Sequence, residues 1–450
     1  MTENPLLEKL KNKLNGRNIF EVRQIARQVG VPQPTTGKKE RLVSGILEIA
    51  AGNADPAAPS TVGRTPSESY DNKLVSEVFS CRAQCLVAKQ IQGDTASAQL
   101  SVASGADAEE FSASGILVKQ DGNFFMRGKS CGDVFVNETF VKRFKLRVGD
   151  KVSGTAKRKQ GVAIAGLMSV SAVNGAQPEA LENRADFDGL IPVYPDRRLT
   201  LSEDGGTAGR IIDLICPIGA GQRGIILSPH GTGKTTLLKN IALGLKSGGL
   251  KVLTLLINSR PEEISDFTSG LDGAEVFYCA AHAEDIHTAK FVSEYAKRLT
   301  ECSHDTVLLI DGLCEYARSQ ILNGTTLPQA VEEAKSFLSA ARNVKCGGSL
   351  TVIATLPSDG GELEATLCAS LQSVVNMRLI LSAELSSARI YPPVDILSSR
   401  TLRDEKLLSD DEIKCADTLR SVCEKHGFAA VLKLFKETAD NAQLLSQILN

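Results

Sequence analysis

The spacing of hydrophobic positions changes character along the chain, and the changes divide it. Leu6, Leu7, Leu10 and Leu14, then Phe20, Val22, Ile25, Ala26 and Val29, then Leu42, Ile46 and Leu47 recur at helical intervals, with Gly30, Pro32 and Pro34 between them. Residues 1–50 are therefore expected to form a small helical domain. From Ala51 to about Ala113 the composition turns to Ala, Ser, Gly, Asp, Thr and Pro, too little apolar surface to offset the entropy of ordering the chain. Residues 51–113 read as a low-complexity linker, with Leu74–Ile91 as a candidate short helix or strand inside it. Residues 114–176 then alternate like short strands (Ile116-Leu-Val, Phe124-Phe-Met, Val134-Phe-Val, Val170-Ser-Ala-Val) separated by turn residues. A five-stranded barrel of the oligonucleotide-binding or cold-shock type fits that length. From about Leu190 to the end, strands and helices alternate as in an α/β core, with Val252–Ile257, Thr306–Ile310 and Thr351–Thr355 as buried strands.

Within that core, a strand at Gly224–Leu227 and a helix over Leu237–Leu245 flank Ser228-Pro-His-Gly-Thr-Gly-Lys-Thr235. The loop has the length of a P-loop, with Ser228 where the usual pattern begins with Gly. Gly231 and Gly233 let successive backbone N–H groups turn inward around a phosphate, and the helix N-terminus adds its positive dipole end. Lys234 can reach the β- and γ-phosphates, and the Thr235 hydroxyl can ligate Mg²⁺. Asp311, after the apolar strand Thr306–Ile310, stands where a second Mg²⁺-shell carboxylate is needed. ATP with Mg²⁺ is thus the expected ligand pair. In the barrel, Phe124, Phe125 and Phe135 read either as core or, for Phe125 and Phe135 beside Arg127, as a platform on which single-stranded bases stack.

Composition adds bounds. A formal net charge of -2 excludes a globally basic nucleic-acid binder, although Lys9, Lys11, Lys13, Arg17, Arg23, Arg27, Lys38, Lys39 and Arg41 make the helical head locally basic. The sequence has neither a bilayer-length apolar run nor a signal-peptide layout, and its 11 cysteines are scattered singly. These features lead to an expectation of reduced thiols, a cytoplasmic location and no membrane partner. Cys81 and Cys85, with no second pair nearby, read as structural.

Helical head, small barrel and P-loop core in this order resemble the bacterial transcription termination factor Rho family. The resemblance is carried by Asn18-Ile-Phe-Glu-Val-Arg-Gln-Ile-Ala-Arg-Gln-Val-Gly-Val31, Ile191-Pro-Val-Tyr-Pro-Asp-Arg-Arg-Leu199, Ile212-Asp-Leu-Ile-Cys-Pro-Ile-Gly-Ala-Gly-Gln-Arg-Gly224, Arg260-Pro-Glu-Glu263, Ala340-Ala-Arg-Asn-Val344 and Gly347-Gly-Ser-Leu-Thr-Val-Ile-Ala-Thr355. It implies a RecA-like core over 190–450 in a homohexameric or mixed ring. RNA would be captured on the barrels and drawn through the ring by ATP hydrolysis, in contact with the RNA polymerase transcription complex. The resemblance assigns Gly219, Gly221, Gln222, Arg223 and Gly224, together with Gly231, Thr232, Gly233, Lys234, Thr235 and Thr236, to nucleotide loops. Arg260 becomes a nucleotide contact, Tyr391 an adenine-stacking ring, and Arg389 an arginine near the phosphates of a neighbouring subunit. Phe125, Arg127 and Phe135 match the RNA-capture site, where Asn123 replaces an aromatic and Val162 an acid.

The chain departs from the family where chemistry and movement are expected. The family's Asp-Glu pair, whose Glu is the general base, is Asn258-Ser259 here, and a Ser hydroxyl cannot take a proton near neutral pH as a carboxylate does. The arginine-finger position is Leu402, with Arg400 and Arg403 close in sequence. Glu315 replaces an Arg. The loop at Ser319–Pro328 lacks the family's Gly-Lys element, and Asp359-Gly-Gly-Glu-Leu-Glu364 puts acids where a cation should meet RNA. A chain so altered is expected to bind ATP but turn it over slowly, with Glu262, Glu263 or Glu315 as substitutes for the base. Two functions follow: a Rho-type termination factor acting on nascent RNA, or a paralogue deficient in hydrolysis and translocation that modulates or joins an active ring.

Overall fold

A computed structural model describes residues 10, 11, 13–31, 37–51, 78, 108–128, 132–159, 164–181, 184–201, 206–246, 248–271, 275–278, 282–345 and 347–449. Leu6, Leu7, most of the expected linker and all of its candidate segment but Val78, with Cys81, Cys85 and Val162, lie outside them.

Residues 1–106 make one unit. Its helices Ile19–Val29 and Lys39–Ala50 arise where the helical spacing predicted. Asn18 begins the first: its side chain accepts from the N–H groups of Phe20 and Glu21, and Glu21 returns a bond to the Asn18 N–H. Gly30, at φ 86°, ends it. Leu14, Val22, Ala26, Val29, Leu42 and Ile46 form the buried seam.

The second unit, 107–450, carries the barrel and the α/β core. The barrel comprises β1 (Ala108–Gln120), β2 (Asn123–Gly128), β3 (Gly132–Val136), β4 (Lys151–Lys159) and β5 (Ala165–Val173), closed in the order β1-β2-β3-β5-β4. All pairings are antiparallel except β3 with β5. The barrel therefore begins at Ala108, so residues 108–113 belong to β1 and not to the linker; their pairing with Gly154–Lys159 overrides a composition that reads as unstructured. Leu117, Met126, Val134, Val136, Val152 and Leu167 fill the interior.

The barrel is fastened to the core by buried charge. Asp150 accepts from Arg184 Nη1 at 2.6 Å and Asn174 Nδ2 at 2.8 Å, while Arg147 Nη1 reaches Glu301 of the helix His282–Glu301 at 2.9 Å.

The core sheet contains β6 (Pro192–Val193), β7 (Arg223–Ser228), β8 (Lys251–Leu256), β9 (Glu275–Tyr278), β10 (Asp305–Asp311), β11 (Arg342–Val344), β12 (Ser349–Pro357), β13 (Met377–Ile380) and β14 (Arg400–Thr401). Their principal order is β14-β13-β7-β12-β10-β8-β9. From β13 to β9 the strands run parallel, and near-continuous apolar runs such as Leu350–Leu356 are buried on both faces. One cluster packs around Ile212, Leu238, Ile241 and Phe435, and the other around Tyr295, Tyr316, Phe337 and Leu367. The carboxyl ends of β7, β12, β10 and β8 therefore come together at one edge, where open α/β sheets place their ligands. No helix among the described residues is long and apolar enough to cross a membrane.

Candidate nucleotide site and RNA-facing surfaces

The loop after β7 leads directly into the helix Lys234–Lys246. Gly231 and Gly233 sit at φ 76° and 88°, the left-handed region in which side-chain-bearing residues are strained. Ser228, in the position usually held by Gly, is buried, and its hydroxyl meets the Thr232 hydroxyl and the Pro229 carbonyl. The Ser thus braces the loop from inside and leaves its rim unobstructed. At the helix start, Thr235 Oγ1 donates to Asp311 Oδ2 at 2.8 Å, and Thr355 Oγ1 donates to Asp311 Oδ1 at 2.7 Å. Two residues 76 apart in sequence thus present hard oxygen donors side by side. That donor set suits Mg²⁺, which would neutralise phosphate charge there.

Beyond the loop, Thr232, Gly233, Thr236, Leu237, Asn240 and Tyr391 line a cavity of about 360 Å³. Tyr391 is 55% exposed, so its ring is available to a flat apolar group such as a purine. Arg389, at φ 56°, is an exposed residue two positions before it. Arg260 is exposed as well and precedes the helix Pro261–Gly270, where its N–H donates to Glu263 at 3.1 Å.

Not every expected nucleotide residue reaches this site. Gly219, Gly221, Gln222, Arg223 and Gly224 lie at the amino end of β7, a strand's length from the P-loop in the same chain. Their constraints are structural. A Cβ on Gly221 would stand 2.0 Å from the Asn343 nitrogen, and buried Gln222 donates to both Asn376 oxygens, at 2.8 and 3.1 Å. The Gly-rich pattern signals close packing of backbones here, not a phosphate cradle within one chain.

The flank of the site is rearranged. Asn258, at φ 53°, follows Ile257 at the end of β8, and its Nδ2 donates to Glu315 Oε2 at 3.1 Å. Arg318 Nε lies 3.5 Å from the same oxygen, and Arg318 also pairs with Glu364. Asp359, in the loop after β12, accepts from the His230 N–H at 2.9 Å and contacts His230 Nδ1 at 2.7 Å. Within the chain, Asp359 is thus docked on the P-loop while remaining exposed, and Glu364 is buried against the helix Leu313–Leu322. Burial opposes ionisation of Glu364, but bonds from Cys314 and the charge of Arg318 hold its carboxyl below the usual range. Burial and the neighbouring Glu364 push the Cys314 thiol up to about 12, so its S–H remains a donor, at 3.1 Å from Glu364. Sequence reasoning missed the pairings Asn258–Glu315, Arg318–Glu364, Cys314–Glu364 and His230–Asp359 because each joins residues far apart in the chain.

Leu402 is 53% exposed at the end of β14. Arg400 opposes Arg378 across the β13–β14 pair, and Arg403 places its guanidinium 3.9 Å above the Tyr194 ring. On the barrel, Phe125 and Phe135 face each other across β2 and β3 with ring centroids 5.9 Å apart. Alternation along β2 puts them opposite the interior-facing Phe124 and Met126. Arg127 shares their face, held by Asp133 at 3.2 Å through two bonds.

A barrel of oligonucleotide-binding topology joined to a P-loop core defines a nucleotide- and nucleic-acid-binding class of protein. Comparison with known proteins carries this further. Residues 208–401 match the nucleotide-binding domain of the ATP synthase alpha/beta family, and residues 113–179 match the Rho termination factor RNA-binding domain. The transcription termination factor Rho of Thermotoga maritima is 29% identical, over 97% of this chain and 96% of that protein. Those of Pseudomonas aeruginosa and Bacillus subtilis are 33% and 34% identical, over 70% and 74% of this chain and 81% and 83% of theirs. The chain belongs to the Rho transcription termination factor family, with an RNA-binding domain and a RecA-like nucleotide-binding domain.

Proposed function

We propose that this chain is a Rho-type termination factor that binds ATP with Mg²⁺ in its P-loop site and single-stranded nascent RNA on its barrel. The Thr235–Asp311 pair carries this reading, because it sets two Mg²⁺-type donors at the entrance of an intact phosphate loop. Tyr391 closes the cavity where adenine would stack. Arg389 is exposed, which supports a ring in which it reaches the site of a neighbouring copy. A homohexamer or a mixed ring that meets the RNA polymerase complex fits the family.

The docking of Asp359 on His230 favours a second reading: a paralogue that retains ATP and RNA capture but grips RNA weakly in the ring and so modulates or joins an active one. Calorimetry of ATP and Mg²⁺ binding by the full chain, alongside Lys234→Ala, tests the first reading. Equal affinity in both proteins would refute it. Translocation on an RNA–DNA duplex by the chain alone would refute the second.

A further inference from the structure

We propose that Glu315 is the carboxylate that orients and deprotonates the water attacking ATP, and that Asn258 is its positioning residue. The inference rests on the nucleotide-site reading above. It moves the base from the end of β8, where Ser259 stands, to the first turn of the helix Leu313–Leu322.

Backbone geometry brings that turn to the site. The Ile257 N–H donates to the Asp311 carbonyl at 3.0 Å, so the end of β8 lies against the Mg²⁺-type carboxylate. Gly312, at φ 91°, turns the chain at once into the helix, and a Cβ there would come within 2.8 Å of the Ile257 carbonyl. Glu315 is thereby pressed against the end of β8, where Asn258 Nδ2 holds its Oε2 at 3.1 Å, one residue from Ser259. Both of its contacts, from Asn258 and Arg318, fall on Oε2. Among the described residues no hydrogen bond occupies Oε1, which is therefore available to a water.

Four other carboxylates around the site are committed elsewhere, and Glu262 is exposed on the first turn of its helix with no bond among the described residues that ties it to the end of β8. Glu263 caps its own helix through the Arg260 N–H, Glu364 is held by Arg318 and Cys314, and Asp359 is held by His230. Asp311 already receives two hydroxyls. Arg318 offsets the charge that a second free carboxylate would bring beside the phosphates.

In the proposed step the water oxygen bonds to the γ-phosphorus while its proton passes to Glu315. The bond from that phosphorus to the bridging oxygen breaks, and ADP leaves with the electron pair. Glu315 then releases the proton to solvent, leaving inorganic phosphate and no redox change. A purely structural Asn258–Glu315 tie would survive Glu315→Gln, whose side-chain oxygen can still accept the Asn258 bond. A base would not survive that change.

The test uses the full chain with Mg²⁺-ATP and RNA, and measures turnover, ATP affinity, and trapping of ADP with aluminium fluoride as a mimic of the transferring phosphoryl group. Glu315→Gln is expected to lose about 10²–10⁴-fold in kcat, to fail to trap the mimic, and to keep its ATP affinity. Asn258→Ala should lower kcat by less and leave KM unchanged. Should Glu315→Gln prove poorly folded by thermal melting, Glu315→Asp provides the same reading with a shortened carboxylate and an intermediate loss. Wild-type turnover in Glu315→Gln, or ATP binding by the wild type with no turnover above background, overturns this proposal alone. Absence of ATP binding overturns the nucleotide-site reading beneath it.

Discussion

The two flanks of the nucleotide site have met different fates. On the P-loop flank, Ser228 and Thr232 brace the loop from inside while Thr235 and Thr355 both bond Asp311, and these are the residue types that phosphate and Mg²⁺ binding require. On the other flank, the end of β8 presents an amide and a hydroxyl, the carboxylate sits on a helix, and the loop after β12 turns an acid onto the P-loop. The residues suited to nucleotide binding and those proposed for turnover are thus largely different, and one set can change while the other stays fixed. Because the cradle residues lie on β7, β12 and β10 and not on β8, a substitution at the end of β8 need not disturb binding.

The sharpest way to break this comparison is to restore the family's arrangement on the altered flank. Glu315→Arg alone should reduce ATP turnover by about 10²–10⁴-fold, the usual worth of a general base. Adding Ser259→Glu in the same chain should recover much of that loss. Leu402→Arg should then gain more in this background than in the wild type, since finger and base act on one transition state. Turnover that ignores all of these changes would mean that the flank is not catalytic.

On the conserved side of the comparison, Lys234→Ala should weaken ATP binding by at least about 10–150-fold, the equivalent of a lost charged hydrogen bond of about 1.5–3 kcal/mol. The fold should be unaffected, because Lys234 is only partly buried at the helix start. A calorimetric titration that matches the wild type would remove the P-loop from the nucleotide site.

RNA capture belongs to the retained functions, and the barrel offers an intermediate effect. Phe135 is half-buried and Phe125 is 8% exposed, so Phe135 offers the more accessible ring. Phe135→Ala in the full chain should cost about 1–3 kcal/mol of single-stranded RNA binding if one base stacks on it. Unchanged affinity would mean that the Phe125–Phe135 pair only packs the barrel's outer face.

The parts legible in the sequence share a physical cause. The P-loop, the buried strands and the head helices are local patterns of period and turn chemistry, so Gly231, Gly233 and the Asn18 cap could be read without contacts. Asp311 could be placed because an apolar strand ended at it. By contrast, Gly219–Gly224 shared a Gly-rich signature with phosphate loops but sits where backbones cross closely, and residues 108–113 gained a strand only through pairing with β4. The Asn258–Glu315 and His230–Asp359 pairs join positions 57 and 129 residues apart, which no local pattern encodes.

The smallest expected effect concerns the Asp359 latch. The His230 N–H, with the His230 ring beside it, holds the Asp359 carboxyl below the ordinary carboxylate range against an opposing desolvation effect. A depressed carboxyl value stabilises the docked loop at pH above the unperturbed value, and that stabilisation disappears as pH falls through the depressed one. The contact therefore contributes its stabilisation near neutral pH and loses it in acid. While closed, the latch puts a negative charge on the rim that phosphates must approach. Asp359→Asn keeps an oxygen that can accept the His230 N–H but removes the charge, so ATP affinity near neutral pH should rise a few-fold, and less at high salt because the pair is exposed. The wild type should approach the mutant's affinity as the pH is lowered. A mutant that binds ATP no better than wild type at low salt would show that the latch holds the loop without opposing the nucleotide.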